Sequence, residues 1–148
     1  EKYGIPPGGP TWNERIESGL FSYRADCGGE ATPLEVGLGR FLSLDRTDDF
    51  IGKEALLAEH TAGPKRRLVT VLLSGERLAA TSEHPWPALD ADGELVGEVR
   101  VATWSPKHES NLAIALVASP VAGDSFATIT PSGQTLTATH HNFFGLDR

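Results

Sequence analysis

Three side chains in the first part of this 148-residue chain are of types suited to holding a ligand: Glu17, Tyr23 and Arg46. A carboxylate accepts two parallel N–H bonds from a planar donor pair, so Glu17 is a candidate anchor, although spacing alone reads it as a solvated helix carboxylate. Tyr23 can stack on a ligand or hydrogen-bond it, or can close the edge of a core. Arg46, in the run LSLDR, carries a guanidinium that pairs well with carboxylates. Lys65-Arg66-Arg67 is a run of three basic residues that suits an anionic tail, or a strand edge whose charge discourages edge pairing.

Other constellations carry less chemistry. Asp90, Asp92 and Glu94 look like half of a calcium loop, but the later ligands and the closing bidentate glutamate are missing, so a hairpin turn is expected. His140 and His141 are adjacent on a strand or its end, where side chains alternate between faces, so they do not chelate one metal. His60, His84 and His108 have no ligand spacing. Cys27 is read as structural, since nothing places a histidine beside it. Gly8-Gly9 and Gly28-Gly29 do not fit dinucleotide or phosphate-loop spacings. No catalytic acid, base or metal ligand is assigned within this chain.

Composition bounds the partners. The formal net charge is −7 and the hydrophobic content 39%. Such a chain can build a core, and its acidity argues against nucleic acid or an acidic membrane surface as partner. The single cysteine excludes an internal disulfide. No stretch approaches the roughly 20 apolar residues of a spanning helix, and residues Glu1 to Pro10 lack the pattern of a signal peptide. A cytoplasmic location is expected. The chain begins at Glu1 and holds no methionine, which leads us to expect an internal, processed or trimmed piece of a longer protein.

The candidate residues need elements to position them. Glu1 to Pro10, rich in proline and glycine, reads as a loop or linker. Thr11 with Glu14 has the form of a capping box, and Pro10 blocks extension upstream. Ile16, Leu20 and Phe21 then recur at helical spacing, which predicts a helix as far as Tyr23. Arg24 to Ala31 has no periodicity and two adjacent glycines; it reads as a turn close to a ligand or as a surface loop. Thr32, Pro33 and Glu35 start a short helix expected to end near Gly37 or Gly39. Phe41, Leu42 and Leu44 suggest a short strand. Gly52 to Ala62 reads as a third helix with Ala55, Leu56 and Ala58 inward, closed by Gly63 and Pro64.

After Gly63 the pattern changes to strands: Leu68 to Leu73, Trp86 to Leu89, Leu95 to Trp104, Leu112 to Val117, Phe126 to Thr130 and Gln134 to Thr139. Asp90 to Gly93 and Pro131-Ser132-Gly133 supply hairpin turns, and Ser105-Pro106 stops the third strand. Strands with no helix between them imply a small antiparallel barrel or sandwich. The run Leu112 to Val117 is apolar throughout, as for a strand covered on both faces.

The ordered series ERIESGLFSY, TPLEVGLGRFLSLD and DFIGKEAL, followed by LVGEVRVATWSP and NLAIALV, resembles the aminomethyltransferase family, the T protein of the glycine cleavage system and its relatives. The resemblance runs from about Gly8 to Phe144, and the form ERIESGLFSY after GGP leans towards the dimethylsulfoniopropionate demethylase branch. It implies an α+β fold: residues 1–63 as the tail of an α/β folate-binding core, and residues 64–148 as the small antiparallel β-barrel domain that ends these enzymes. It further implies tetrahydrofolate as cofactor and a small one-carbon donor as second substrate. The upstream half of the same protein would hold the donor site and an acidic catalytic residue, and a lipoyl-carrier protein is a candidate partner. Glu17 matches the glutamate that contacts the pterin of tetrahydrofolate in the family's Arg-Leu-Glu-Ala-Gly motif. Tyr23 stands as a candidate pterin contact, and Arg46 as a candidate for the p-aminobenzoyl-glutamate end. Three functions follow as expectations: a tetrahydrofolate-dependent one-carbon transferase, a tetrahydrofolate-dependent demethylase, or a non-catalytic barrel module for assembly or gating.

Overall fold

A computed structural model describes residues 3, 4, 8–119 and 125–141 of the chain. Parts of the expected N-terminal loop (residues 1, 2 and 5–7) and the last stretch of the expected barrel domain (142–148) lie outside these, as do residues 120–124.

Apolar, β-branched runs separated by turn residues form six antiparallel strands: β1 (Arg66–Leu73), β2 (Trp86–Leu89), β3 (Leu95–Ser105), β4 (Ser110–Ala118), β5 (Ser125–Ile129) and β6 (Thr135–His140). They close into a barrel in the order β1-β4-β3-β2-β5-β6, so no edge is left open to another sheet. The expected hairpin turns are where the sequence put them. The Asp90 carboxylate accepts the N–H groups of Asp92 and Glu94 at 3.0 and 2.9 Å, which makes the acidic triplet a turn. Gly97 lets β3 run against β4, since a Cβ there would lie 2.3 Å from the Leu116 carbonyl oxygen.

Alternation along the strands builds two cores. Val69, Val71, Leu73, Trp86, Val99, Ala113, Ala115, Val117, Phe126 and Leu136 fill the barrel. Leu68, Val101, Leu112, Ile114 and Leu116 point outward instead, into a second core with Ile16, Cys27, Ala31 and Val36. β4 is therefore apolar on both faces because both are covered, as its continuous run predicts.

The chain ahead of the barrel supplies the cover. The capping box forms as predicted, with Thr11 N–H donating to the Glu14 carboxylate at 2.8 Å. The helix it starts, α1 (Trp12–Glu17), is shorter than expected: Gly19 takes φ +69°, a left-handed conformation that breaks the helix before Leu20. The segment read as an irregular turn is partly a second helix, α2 (Tyr23–Cys27), ended by Gly28. Thr32 and Glu35 make their reciprocal cap hydrogen bonds at 3.0 and 3.1 Å, yet the segment they start is a series of turns. No strand forms over Phe41, Leu42 and Leu44; a 3-10 turn (Gly39–Phe41) and loop replace it. The third helix, α3 (Lys53–Ala62), is present, but Ala55, Leu56 and Ala58 are not buried among the described residues.

Candidate functional site

The second core sets the position of Glu17. Ile16, fully buried, plugs α1 onto the outer wall of the barrel. Its burial contributes about 1.5–3 kcal/mol. Glu17 follows directly and is half-buried at the seam between α1 and the end of β3. There its Oε1 accepts a hydrogen bond from the hydroxyl of the buried Ser105.

The neighbouring arginine does not neutralise it. Arg15 donates to both oxygens of Asp26 at 2.9 Å, to the Leu20 carbonyl at 2.7 Å, and lies 4.6 Å from the Trp12 ring centre. Asp26, fully buried, also accepts the Ser22 N–H at 2.6 Å. The two-pronged Arg15–Asp26 pair thus clasps α1 to α2 across the Gly19 break and fixes the turn that carries Glu17. Among the described residues no ion pair reaches Glu17, and its Oε2 accepts no hydrogen bond. One carboxylate oxygen is steadied and the other is open, an arrangement able to receive a planar pair of N–H donors.

Tyr23, at the start of α2, is exposed; its hydroxyl donates to the Gly29 carbonyl at 2.8 Å, which leaves the ring rather than the hydroxyl for a ligand. Arg46 lies on the exposed loop ahead of α3, paired with Asp48 at 2.5 Å. No hydrogen bond or ion pair joins Arg46 to Glu17 or Tyr23. Glu17 and Tyr23 sit on the clasped pair α1–α2, and Arg46 stands apart from it.

Arg66, from the basic run, has a partner within the fold. Its guanidinium donates to both oxygens of Glu35 at 2.9 Å, which holds the Glu35 carboxyl below, and the Arg66 guanidinium above, their ordinary ranges. Leu68 N–H donates to the Glu35 carbonyl at 2.8 Å, so the Thr32 turn is stitched to β1. Glu14 is likewise held below the usual carboxylate range by its hydrogen bonds from Thr11. Cys27 is buried, with its sulfur 2.7 Å from the Tyr23 carbonyl oxygen, and no group of three His, Cys, Asp or Glu residues able to hold a metal occurs among the described residues.

An open hollow of about 610 Å³ at one end of the barrel is lined by Leu78, Ser82, His84, Trp86, Thr130 and Gln134 among others. None of Glu17, Tyr23 and Arg46 lines it. Among the described residues no helix is long and apolar enough to cross a membrane.

Sequence reasoning missed Asp26 and Ser105. Asp26 fell in a run without periodicity, and Ser105 was read only as a strand stop. Asp26 faces Arg15 because the chain reverses at Gly19, which helical spacing does not reveal. For Ser105 the available signal was its place before Pro106, at a turn where a buried hydroxyl is free to bond outside the ladder.

No protein-family model matches the chain. It is 39% identical over 108 residues to the aminomethyltransferase of Parasynechococcus marenigrum, covering 73% of this chain and 28% of that protein. It is 41% identical over 113 residues to the dimethylsulfoniopropionate demethylase DmdA of Ruegeria pomeroyi, covering 76% of this chain and 30% of that one. In fold it is similar to the glycine cleavage system aminomethyltransferase T of Bartonella henselae, with a TM-score of 0.76 at 20% identity over 89% of this chain and 37% of that chain. The chain thus spans under a third of the length of these curated relatives. Sequence identity carried across about three quarters of the chain, on a shared barrel fold, shows that it belongs to the aminomethyltransferase family, of which it matches the C-terminal part.

Proposed function

We propose that the chain acts as the C-terminal part of a tetrahydrofolate-dependent one-carbon transferase, with Glu17 as the anchor of the pterin. The observation that carries this reading is the state of the Glu17 carboxylate: half-buried, without an ion pair among the described residues, one oxygen steadied by Ser105 and the other open. The 2-amino group and adjacent ring N–H of a pterin form the planar donor pair that such a carboxylate receives. Tyr23 offers its exposed ring for stacking beside Glu17. Arg46 lies in the open, where its pairing with Asp48 can be exchanged for the carboxylates of the p-aminobenzoyl-glutamate end. In this reading residues 1–63 are the last portion of the folate-binding core and residues 64–148 the barrel that walls it. The protein is cytoplasmic. Bound tetrahydrofolate supplies the chemistry, a nucleophilic nitrogen that takes up the one-carbon unit, and this chain binds and orients it. The small one-carbon donor, and the acid or base that assists, belong to the upstream half of the protein, with a lipoyl-carrier protein as donor in the glycine-cleavage form.

The reading is tested by calorimetric titration of tetrahydrofolate into the full-length protein and its Glu17→Ala variant. The variant is expected to lose on the order of 1.5–3 kcal/mol, as for hydrogen bonds to a charged group. Equal binding by both would remove Glu17 from the site, and binding by neither would leave the barrel as an assembly module. The 41% identity to the demethylase DmdA favours a second reading, transfer of a methyl group from a sulfonium or related donor. Methyltetrahydrofolate as product would select it; methylenetetrahydrofolate would select the aminomethyl reaction.

A further inference from the structure

The half-buried positions of α3 are Lys53, Leu56 and Glu59, a helical spacing that makes them the face turned towards the rest of the chain. Ala55, Leu57 and Ala58 lie off that face and are exposed. The pattern of the helix predicts Ala55, Leu56 and Ala58 inward, and within this chain only Leu56 is even half-buried. Just ahead of α3, Ile51 is wholly exposed, and Phe50 and Phe41 are exposed as well. One apolar side chain in water needs no explanation, but several in one continuous stretch mark an interaction surface.

The tip that carries Phe50 and Ile51 is ordered by its own hydrogen bonds. The Lys53 ammonium donates to the carbonyl oxygens of Arg46 and Asp48 at 2.5 and 2.8 Å, and the Phe50 N–H donates to the Asp49 carboxylate at 2.9 Å. Gly52 then takes φ +91°, a left-handed conformation that leads from the tip into α3. A tip held in place beforehand loses less freedom when it docks. Asp48, Asp49 and Lys53 give it a charged border, like the polar rim around the apolar centre of a protein interface.

We propose that this surface, with Ile51 as its central anchor, docks onto the portion of the same protein that lies outside this chain. The inference rests on the part of the reading above that makes residues 1–63 the end of a larger core. The chain spans 28% and 30% of the length of the two curated relatives and 37% of the solved T protein, so a protein of that length has ample chain to form the missing wall. The outer wall of β1, β3 and β4 offers no seat, because the segment from Trp12 to Leu38 already fills it. What the surface calls for is an apolar hollow that takes the Ile51 side chain, beside a face that covers Ala55 and Ala58. A branched aliphatic side chain that is wholly exposed here becomes the anchor of the contact there.

The test is maleimide labelling of the full-length Ile51→Cys variant without folate, read by mass spectrometry at the peptide that carries the new thiol. The native state is expected to label more slowly than the same variant in denaturant by on the order of tenfold or more. A native rate close to the denatured one would overturn the proposal. So would protection that vanishes on dilution, which would assign the surface to a second copy of the protein. Should Ile51→Cys fail to fold, hydroxyl-radical footprinting of the unaltered full-length protein takes its place. Oxidation of Phe41 and Phe50 should then be suppressed relative to the denatured protein, and oxidation near the denatured level would overturn the proposal. Tetrahydrofolate titration of the unaltered protein decides the cofactor separately. Protection without folate binding keeps this surface and removes the folate reading; folate binding without protection does the reverse.

Discussion

Two stretches precede the barrel, and they meet it differently. From Trp12 to Leu38, apolar side chains find the outer wall of β1, β3 and β4: Ile16, Cys27, Ala31 and Val36 are buried there, with Trp12, Phe21 and Leu38 packed around them. From Gly39 to Ala62 the apolar residues find no such wall. Phe41 is 69% exposed and Ile51 wholly so, and α3 buries none of its side chains among the described residues. The link between the stretches is polar, a hydrogen bond of 2.6 Å from the Thr32 hydroxyl to Glu59. Apolar content alone does not place a segment; a facing surface of matching pattern does. Glu17 and Tyr23 lie in the stretch that is held, and Arg46 in the one that is not, so precision of placement within the candidate site is expected to follow the same division.

That division can be broken most severely at Asp26. Replacing it by Ala leaves Arg15 without its partner beneath α1, with side chains only 12% and 0% exposed in the pair. Loss of one member of a buried pair costs about 3 kcal/mol or more. Denaturant unfolding should show that loss, and tetrahydrofolate binding should weaken with it because the Gly19 turn is released.

Glu35 offers a milder break, graded by pH. Arg66 lowers its carboxyl below the ordinary value of 4.5, so the folded state binds the proton less readily than the unfolded one. The stability this contributes is complete above that value and is lost as pH falls through the lowered one. With Arg66 part-exposed the contribution is on the order of 1 kcal/mol. Thermal unfolding followed from neutral pH into the acid range should show a steeper decline for the unaltered protein than for Glu35→Gln.

The smallest effect is expected in the second stretch. Ile51→Ser should change stability by no more than about 0.5 kcal/mol, as for exposed positions generally. A larger loss in equilibrium unfolding of this chain would show that α3 and its leading loop are packed after all, and the contrast between the two stretches would disappear.

What was legible in the sequence follows the same line. The six strands, their turns and the two-faced burial of β4 were readable because period-two alternation and turn residues are local signals. The Thr11–Glu14 cap and α3 were readable for the same reason. The path from Gly19 to Phe41 was not. Gly19 breaks the helix inside a run whose apolar spacing continues past it, so a helix was expected as far as Tyr23 and a loop beyond, where α1 ends at Glu17 and α2 begins at Tyr23. Phe41, Leu42 and Leu44 carry strand-like residues but have no neighbouring strand to pair with, and propensity without a partner gives no sheet. Of the candidate site, Glu17 could be named from its motif, whereas the residues that hold it, Asp26 and Ser105, are brought to it by tertiary contacts. The burial of Arg15 and the hydroxyl of Ser105 are both consequences of docking onto the barrel, and docking leaves no periodic trace.

The most direct measurement is amide hydrogen exchange of the full-length protein with and without tetrahydrofolate. The account predicts slowed exchange on ligand addition across residues 15–24 and at the turn after Ser105, with little change along α3. Protection confined to the hollow at the barrel end, around residues 78–86 and 130–134, with none at 15–24, would contradict it and move the ligand away from Glu17.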